Sequence, residues 1–390
     1  MSILKKSSTP VAGAMIDSRY ADEKGRLYFY DNAKFILIFL VVLAHAISPF
    51  SEFGDAGDGR QFFLYLWRII NTLHMPCMIF ISGFFAKKYI RPDGSINVQR
   101  PFTYMVYYMA AQITVAAFEV FVMNTSVAKS VLNPRSSLWF LVCLIWWYLL
   151  LPVVDKIEPR YMLVIAILAG LLIGYDEKVS NLMAMSRMVV HFPFFLFGYY
   201  VSGEQMQKLH TKKAKIISVP VLLAALGSIA VIMVLFRSEG PLDFSINSFI
   251  TCDKSYFKIF NDTGINPVFW FLPRVWFYLC AFALGFSFLV WVPRKKNIFT
   301  HYGTRTLAVY ILHRYLYLAY RGFEWYTFDW FKYEWFGWKN ILTLRLLMMV
   351  VAFIITVVLS TYPCYWPFEM LGKIKITKLL KKPKEKTSGN

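Results

Sequence analysis

Charged side chains are scarce in this chain: they make up 17% of its 390 residues, against about 25% in a typical soluble domain. The hydrophobic share is 57% and the mean hydropathy is +0.48, and both favour an apolar solvent. Phe, Tyr and Trp account for 18% of the residues, an excess that suits the aromatic belts at the two membrane surfaces. These shares exclude a soluble globular protein and indicate a polytopic membrane protein.

Cysteine is scarce as well, and several sequence signatures are missing. The five cysteines are odd in number, and Cys77, Cys143 and Cys280 lie inside apolar runs, which gives neither a disulfide framework nor a metal-binding spacing. The chain also lacks a glycine-rich nucleotide loop and a nucleophile elbow. We therefore predict no metal centre and no soluble nucleotide-binding domain.

Apolar runs follow one another along the chain, and most are close to the roughly 20 residues that a helix needs to cross a bilayer. They predict an all-α fold, a polytopic bundle of about ten transmembrane helices, near 31–50, 64–86, 102–123, 137–154, 159–175, 182–202, 214–236, 268–292, 305–320 and 341–362. The fifth, sixth and ninth runs give the weakest signals. If the fifth and sixth runs are both omitted, the remaining loops still alternate between the inside and the outside of the membrane, so eight helices are the alternative.

Acidic residues are few beside basic ones, and the net charge is +19. With the amino terminus in the cytoplasm, the inside segments hold 26 Lys and Arg and the outside segments 11, in agreement with the positive-inside rule. We predict no nucleic-acid partner, a multi-pass protein of the plasma membrane, and both termini in the cytoplasm. The predicted units are a cytoplasmic tail (1–30), a transmembrane domain (31–362) and a basic cytoplasmic tail (363–390) beside anionic lipid. The first helix is expected to direct insertion without a cleaved signal peptide.

The first apolar run carries a cation near one end and an imidazole inside it. Lys34 and His45 are eleven positions apart, so on a helix they lie on nearly the same face and about 16 Å apart along the axis. Ionisable groups at such depth are costly, and they mark functional sites. The alternatives are structural: Lys34 extends to the interface, and His45 forms a hydrogen bond between helices.

Further ionisable residues lie in the predicted outer half of other helices, and we expect them to share one polar cavity with His45. They are Arg68, His74, Glu119, Arg187, His191, Arg274, His313 and Arg314. At that depth Glu119 must be neutral or paired, and one of these arginines or histidines is its expected partner. His74 has a structural alternative, a hydrogen bond to a carbonyl freed by Pro76, and the arginines have one as anchors at the surface.

The pattern Asp31-x-x-Lys34, ten residues and His45 resembles the start of the membrane-bound acyltransferase 3 family, whose members O-acylate sugars of envelope and surface glycans. Ser82-Gly83-Phe84 followed by basic residues also resembles the family. Asn71–Pro76 stands where most members carry Gly-Val-Asp-Val, which is closer to the branch resembling fucose 4-O-acetylases. Three aromatic-rich stretches extend the resemblance over about residues 28–362: 137–141, 191–200 and 309–313.

The resemblance implies a transmembrane O-acyltransferase that uses acetyl-CoA, or another acyl-CoA, as donor and a glycan or lipid-linked sugar as acceptor. His45 is then the general base. Lys34 helps to hold the donor phosphates at the cytoplasmic end of the bundle, and Asp31 orients Lys34. The donor phosphates are expected at Lys87, Lys88 and Arg91, where the alternative is an ordinary positive-inside signal. Contacts to the acceptor are assigned to four residues, His74, Glu119, Arg274 and His313. Two of them, His74 and Arg274, are the candidates for stabilising the oxyanion. Direct transfer and a covalent acyl-histidine remain open, as do the acceptor and the oligomeric state.

The rival hypothesis is a transporter that exports a sugar-linked or small-molecule solute, because buried charges and proline-broken helices occur in that class. The paired halves and inverted repeats expected of such a protein are not visible in the sequence. A non-catalytic membrane receptor is a third alternative. Loss of glycan acylation on substitution of His45 discriminates the enzyme from both.

Overall fold

The computed structural model describes residues 20–23, 25–52, 60–91, 93–124, 132–178, 182–235, 246–260, 263–322 and 341–376. Within these ranges the chain is built from helices, and the β contacts are two isolated bridges, Ala21 with Leu27 and Ile90 with Ile96. The helices are α1 (Tyr28–Glu52), α2 (Arg60–Ala86), α3 (Gln99–Phe121), α4 (Trp139–Val154), α5 (Pro159–Leu172), α6 (Met185–Tyr200), α7 (Gly203–Lys208), α8 (Lys212–Leu235), α9 (Asn247–Thr251), α10 (Phe257–Phe260), α11 (Leu272–Trp291), α12 (Thr306–Gly322), α13 (Ile341–Leu359) and α14 (Tyr362–Gly372). The predicted all-α membrane fold is confirmed.

Among the described residues, six helical segments are long and apolar enough to cross a membrane, and a seventh is possible if a bent pair counts as one span. The six are Tyr28–Ser48, Gln61–Tyr89, Gln99–Phe121, Leu182–Tyr200, Lys212–Leu235 and Pro267–Trp291. The bent pair is α13 with α14, which meet at 51°. The segments Trp139–Val154 and Pro159–Tyr175 are apolar but shorter. The predicted total of ten therefore remains a prediction.

Close packing of α2 against α6 depends on two glycines. A Cβ atom on Gly83 would overlap the backbone carbonyl of Phe195, and one on Gly198 would overlap that of Phe80. Small residues at such positions let the two backbones approach, which is the usual way that helices associate in membranes. The glycine of the Ser82-Gly83-Phe84 stretch thus has a packing role.

The beginning of α1 is fastened to the segment before α12. The Asn32 side chain donates hydrogen bonds to the carbonyls of Pro293 and Lys295, at 2.8 and 3.0 Å, and accepts one from the Thr300 hydroxyl at 2.7 Å. Gly303 also lies directly against the backbone of Asp31. These contacts hold the first turn of α1, which carries Asp31 and Lys34, at a defined place in the bundle.

The helices at the edge of the bundle expose apolar side chains, as expected where lipid replaces water. On α8, Ile216 is 72% exposed and Leu223 is 63% exposed, and on α5 Leu172 is 64% exposed. By contrast, Leu37, Ile38 and other side chains of α1 are fully buried. The first helix is therefore central to the bundle, and α5 and α8 are peripheral.

The predicted carboxyl-terminal tail from residue 363 contains a helix. Residues 363–372 belong to α14, which packs on α3: the Tyr107 hydroxyl donates to the carbonyl of Phe368 at 3.1 Å, and the Gln99 amide donates to that of Ile374 at 2.8 Å. The Lys-rich residues 377–390 lie outside the described part of the chain.

Candidate active site

Asp31 forms two ion pairs at the beginning of α1. It accepts two hydrogen bonds from the Arg26 guanidinium, at 2.6 and 2.7 Å, and lies 2.9 Å from the Lys34 ammonium, one turn further along the helix. Arg26 lies just before the helix. Its pKa is raised because its charged form is hydrogen-bonded to the Asp31 carboxylate. The carboxylate thus fixes the position of Lys34, whose side chain remains 23% exposed.

Further cations gather around Lys34, and we call this set the basic cluster: Arg26, Lys34, Lys88 and Arg100, with Asp31 among them. Lys34 is close enough to Lys88 for their charges to interact, and Lys88 likewise interacts with Arg100 and Arg26. The guanidinium of Arg100 stacks on Tyr104 at 5.0 Å. Four cations against one carboxylate leave this end of the bundle positively charged, which suits a ligand with several phosphates.

Two residues predicted to bind the donor lie apart from this cluster. The ammonium of Lys87 donates to the carbonyl of Val201, at the end of α6, and lies 5.1 Å from the centre of the Phe84 ring. Arg91 is exposed in a tight turn, where its N–H donates to the carbonyl of Ser95 at 2.8 Å. The structure therefore brings Lys88 to Lys34 but gives Lys87 a structural contact.

At the other end of α1, four histidines from four helices meet, and we call them the histidine cluster: His45, His74, His191 and His313. The rings of His45 and His313 are 5.2 Å apart, and the Tyr317 ring is 4.8 Å from that of His45. His74 interacts electrostatically with both His313 and His191. The structure thus brings together residues that are far apart in the sequence, and His45, which is half-buried, faces other helices of the bundle.

Three of these histidines share one local arrangement. In each, Nδ1 is hydrogen-bonded to the carbonyl oxygen four residues earlier: His74 to Ile70 at 2.6 Å, His191 to Arg187 at 3.0 Å and His313 to Val309 at 2.8 Å. A carbonyl can only accept, so Nδ1 carries the proton in each ring. The neutral imidazoles therefore present Nε2 as an acceptor.

Arg274 is fully buried beside this cluster. Its Nη1 donates to the carbonyl of Phe249 at 2.9 Å and to Sγ of Cys252 at 2.6 Å. Its Nε and Nη2 atoms find no hydrogen-bond acceptor among the described residues. Burial raises the pKa of the Cys252 thiol. Arg274 therefore fastens the short α9 segment to α11, and it also interacts electrostatically with His191.

Two more arginines, Arg68 on α2 and Arg187 on α6, contact the same segment as Arg274. Nε of Arg68 donates to Asn247 at 2.8 Å. Arg187 donates to the carbonyl of Thr251 at 2.9 Å, lies 3.3 Å from Asp253 and stacks on the Trp139 ring at 5.3 Å. These contacts, like those of Arg274, tie helices to residues 247–253, and Arg187 and Arg274 also interact electrostatically with His191. Arg314 stacks on Tyr317 at 5.2 Å.

Glu119 forms an ion pair with Arg135, whose backbone N–H also donates a hydrogen bond to the side-chain oxygen of Gln112 at 3.1 Å. Arg135 was not among the residues expected to pair with it. The partner comes from the segment before α4, and the two residues hold that segment on α3. Among the described residues, no group of three or more His, Cys, Asp or Glu is arranged to hold a metal ion.

The face of α1 between the two clusters is packed with apolar side chains. Ile38, Val41 and Val42 are at most 4% exposed. An apolar cavity of about 120 Å³ lies elsewhere, between α2, α6, α7 and α11, and is lined by Cys77, Phe194 and Met206 among others. In this conformation the basic cluster and the histidine cluster are thus separated by close packing along α1.

The fold and these two clusters define a helical membrane protein with a cationic end and a group of imidazoles about three helical turns away. The chain belongs to the acyltransferase 3 family: the family model, described as an acyltransferase domain, matches residues 27–365. The chain is therefore a membrane acyltransferase. No curated protein and no solved structure matches the sequence.

Sequence reasoning missed several residues of these clusters. Arg26 and Arg100 were read only as loop charges, since nothing in a single sequence shows that they converge on Lys34. Tyr317 lies one helical turn after His313, and this spacing was the available signal. Asn32 occupies the first variable position of the Asp31-x-x-Lys34 pattern, but its hydrogen bonds to residues 293–300 depend on contacts far along the chain.

Proposed function

We propose that this protein transfers an acetyl group, or another acyl group, from cytoplasmic acyl-CoA to a hydroxyl group of an extracytoplasmic glycan or lipid-linked sugar. The family supports acyl transfer. The observation that carries the rest is that the basic cluster and the histidine cluster lie at opposite ends of α1. Acyl-CoA carries phosphates at one end and a thioester at the other, so it matches a site that is cationic at one end only. The excess of Lys and Arg in alternate loops supports a cytoplasmic location for the basic cluster and for both termini. The membrane in this proposal is the plasma membrane.

In the proposed reaction, Lys34 and Lys88 hold the phosphates of the donor, and Arg26 and Arg100 add to the positive potential. Asp31 keeps Lys34 in place. The pantetheine arm then extends toward His45, a distance of about 16 Å along α1. Because Ile38 and Val41 fill this path, donor binding requires α1 and its neighbours to separate.

His45 then acts as general base. Its imidazole takes the proton of the acceptor hydroxyl, the oxygen attacks the thioester carbonyl, and the C–S bond breaks as the ester forms. This step needs a neutral imidazole, whose unprotonated nitrogen accepts the proton. His74 and Arg274 both interact electrostatically with His191, and the N–H groups of Arg274 that have no acceptor among the described residues are available to stabilise the oxyanion.

The sidedness of the reaction provides the test. Inverted membrane vesicles from cells that express the protein receive acetyl-CoA labelled in the acetyl group, and the label in glycan and lipid-linked sugar is measured. We expect ester-linked label in a protected, luminal acceptor, and none in vesicles without the protein. The absence of protein-dependent ester label would contradict the proposal, and solute flux that needs no acyl-CoA would favour a transporter.

A further inference from the structure

The side chain of His313 combines deep burial with an unused acceptor atom. His313 is 2% exposed, and its Nδ1 donates to the carbonyl of Val309 at 2.8 Å. Its Nε2 has no hydrogen-bond partner among the described residues. Buried polar atoms are nearly always hydrogen-bonded, so an orphaned acceptor of this kind needs an explanation.

The closest candidate partner in the proposed site is His45. The two ring centres are 5.2 Å apart and the rings are inclined by 33°. Two imidazoles joined by an N–H···N hydrogen bond of about 2.9 Å place their centres about 5 Å apart. The observed separation therefore suits a hydrogen bond between the rings after a small rotation, with Nε2 of His313 as the acceptor.

We propose that His313 pairs with His45 and accepts, at Nε2, the proton that His45 removes from the acceptor hydroxyl. This inference rests on the proposed function. The tether to Val309 supports it, because the Nδ1–H bond to a carbonyl both presents Nε2 as an acceptor and stabilises the ring once it is protonated. His313 acts through His45, so it is a positioning residue that holds a proton.

The proton and the bonds balance over one cycle. The O–H bond of the acceptor breaks, the proton passes to His45 and from there to His313, and the oxygen forms a bond to the thioester carbonyl carbon. When the C–S bond breaks, the proton returns through His45 to the leaving sulfur. The products are the ester and free CoA thiol, and both imidazoles are again neutral.

The first test uses His313→Gln, since glutamine keeps an N–H for the Val309 carbonyl but does not take up a proton. In membranes with matched amounts of protein, labelled acetyl-CoA is the donor and the native membrane glycan the acceptor. We expect kcat to fall about 100-fold, as for the loss of a general base, while KM for acetyl-CoA changes by less than about twofold. Activity within about threefold of the wild type would overturn the proposal.

The second test separates proton transfer from a purely structural role. In His313→Ala, added imidazole should restore acylation about tenfold or more, whereas 1,2,4-triazole, which has a similar shape but is a much weaker base, should not. Equal restoration by both compounds, or by neither, would overturn the proposal. His191→Ala is the matched control, because His191 has the same carbonyl tether but its ring contacts Trp139 and Phe277. It has no part in the proposed proton transfer, so we expect no preference for imidazole there. If His45→Ala retains acylation, or the wild type shows none, the proposed function fails instead.

Discussion

The Asp31 carboxylate and the Lys34 ammonium lie 2.9 Å apart on successive turns of the first membrane helix, and Arg26 binds the same carboxylate. A single acidic residue thus balances two cations at the entrance of the proposed donor site. The ion pair with Asp31 fixes the direction of the Lys34 side chain. This is the arrangement on which binding of a polyphosphate donor depends in our proposal.

Substitution Asp31→Asn tests this arrangement. Removal of the carboxylate leaves Arg26 and Lys34 without their shared partner beside Lys88, and we expect the protein to lose about 2 kcal/mol of stability. This is less than the cost for a fully buried pair because Arg26 is half-exposed. Thermal unfolding in detergent measures the change. Asp93→Asn, in an exposed turn, is the control with a smaller expected change, and an equal change in the two variants would contradict the prediction.

Substitution Lys88→Gln tests recognition of the donor phosphates. We expect KM for acetyl-CoA to rise about tenfold, which corresponds to the loss of about 1.4 kcal/mol of binding. KM for acetyl-pantetheine, which lacks the phosphates, should stay the same. Lys87→Gln should have the smaller effect, because its ammonium is engaged by Val201. The exposed Lys213→Gln is a control for overall charge, and an equal change in KM for the two donors in Lys88→Gln would refute the assignment.

Substitution Gly83→Ala tests the contact between α2 and α6. The new methyl group would overlap the Phe195 backbone, and we expect a loss of about 1–3 kcal/mol or failure to fold. Gly227→Ala is the matched control, since a Cβ there meets no atom within 4 Å and alanine favours a helix by up to about 1 kcal/mol. Folded yield and thermal unfolding distinguish the two. Equal stability of the two variants would contradict the close contact between α2 and α6 at Gly83.

Acidification tests the environment of His210, which lies between α7 and α8 and packs against Phe29 at a ring distance of 4.9 Å. Burial, together with the nearby charges of Arg294 and Lys215, lowers the pKa of His210 to about 4. The unfolded chain therefore binds more protons between about pH 4 and 6.5, so stability should rise with pH over this window and the His210 contribution should level off outside it. His210→Phe keeps a ring against Phe29 and should flatten this part of the curve. An unchanged pH profile of thermal unfolding in the variant would contradict the assignment.

The sequence allowed the central helix to be predicted correctly in outline, because a helical period decides which residues share a face. The spacing from Lys34 to His45 predicted a common face. The directions of adjacent side chains are harder to predict. Lys87 and Lys88 both occur in the 3-10 turn Lys87–Tyr89, and only the contacts with other helices show that the two side chains point to different places. Pairs such as Glu119 with Arg135 cross a loop and leave no periodic signal.

The number of transmembrane helices was less predictable for a related reason. Hydropathy measures apolar content, whereas spanning also requires length, and α4 and α5 contain 16 and 14 residues. The sixth run gave a weak signal because of Arg187 and His191, yet Leu182–Tyr200 is long and apolar enough to span. Its two charged or polar residues are accommodated by contacts with the segment around Asp253 and with Trp139.

The central claim is that His45 activates a hydroxyl for acyl transfer, and the most direct measurement is O-acylation of the surface glycan by mass spectrometry. Cells with wild-type protein and cells with His45→Ala at the same level in the membrane are compared. We predict that acylation falls about 100-fold or more in the variant, as expected on removal of a general base. Equal acylation in the two strains would contradict the claim.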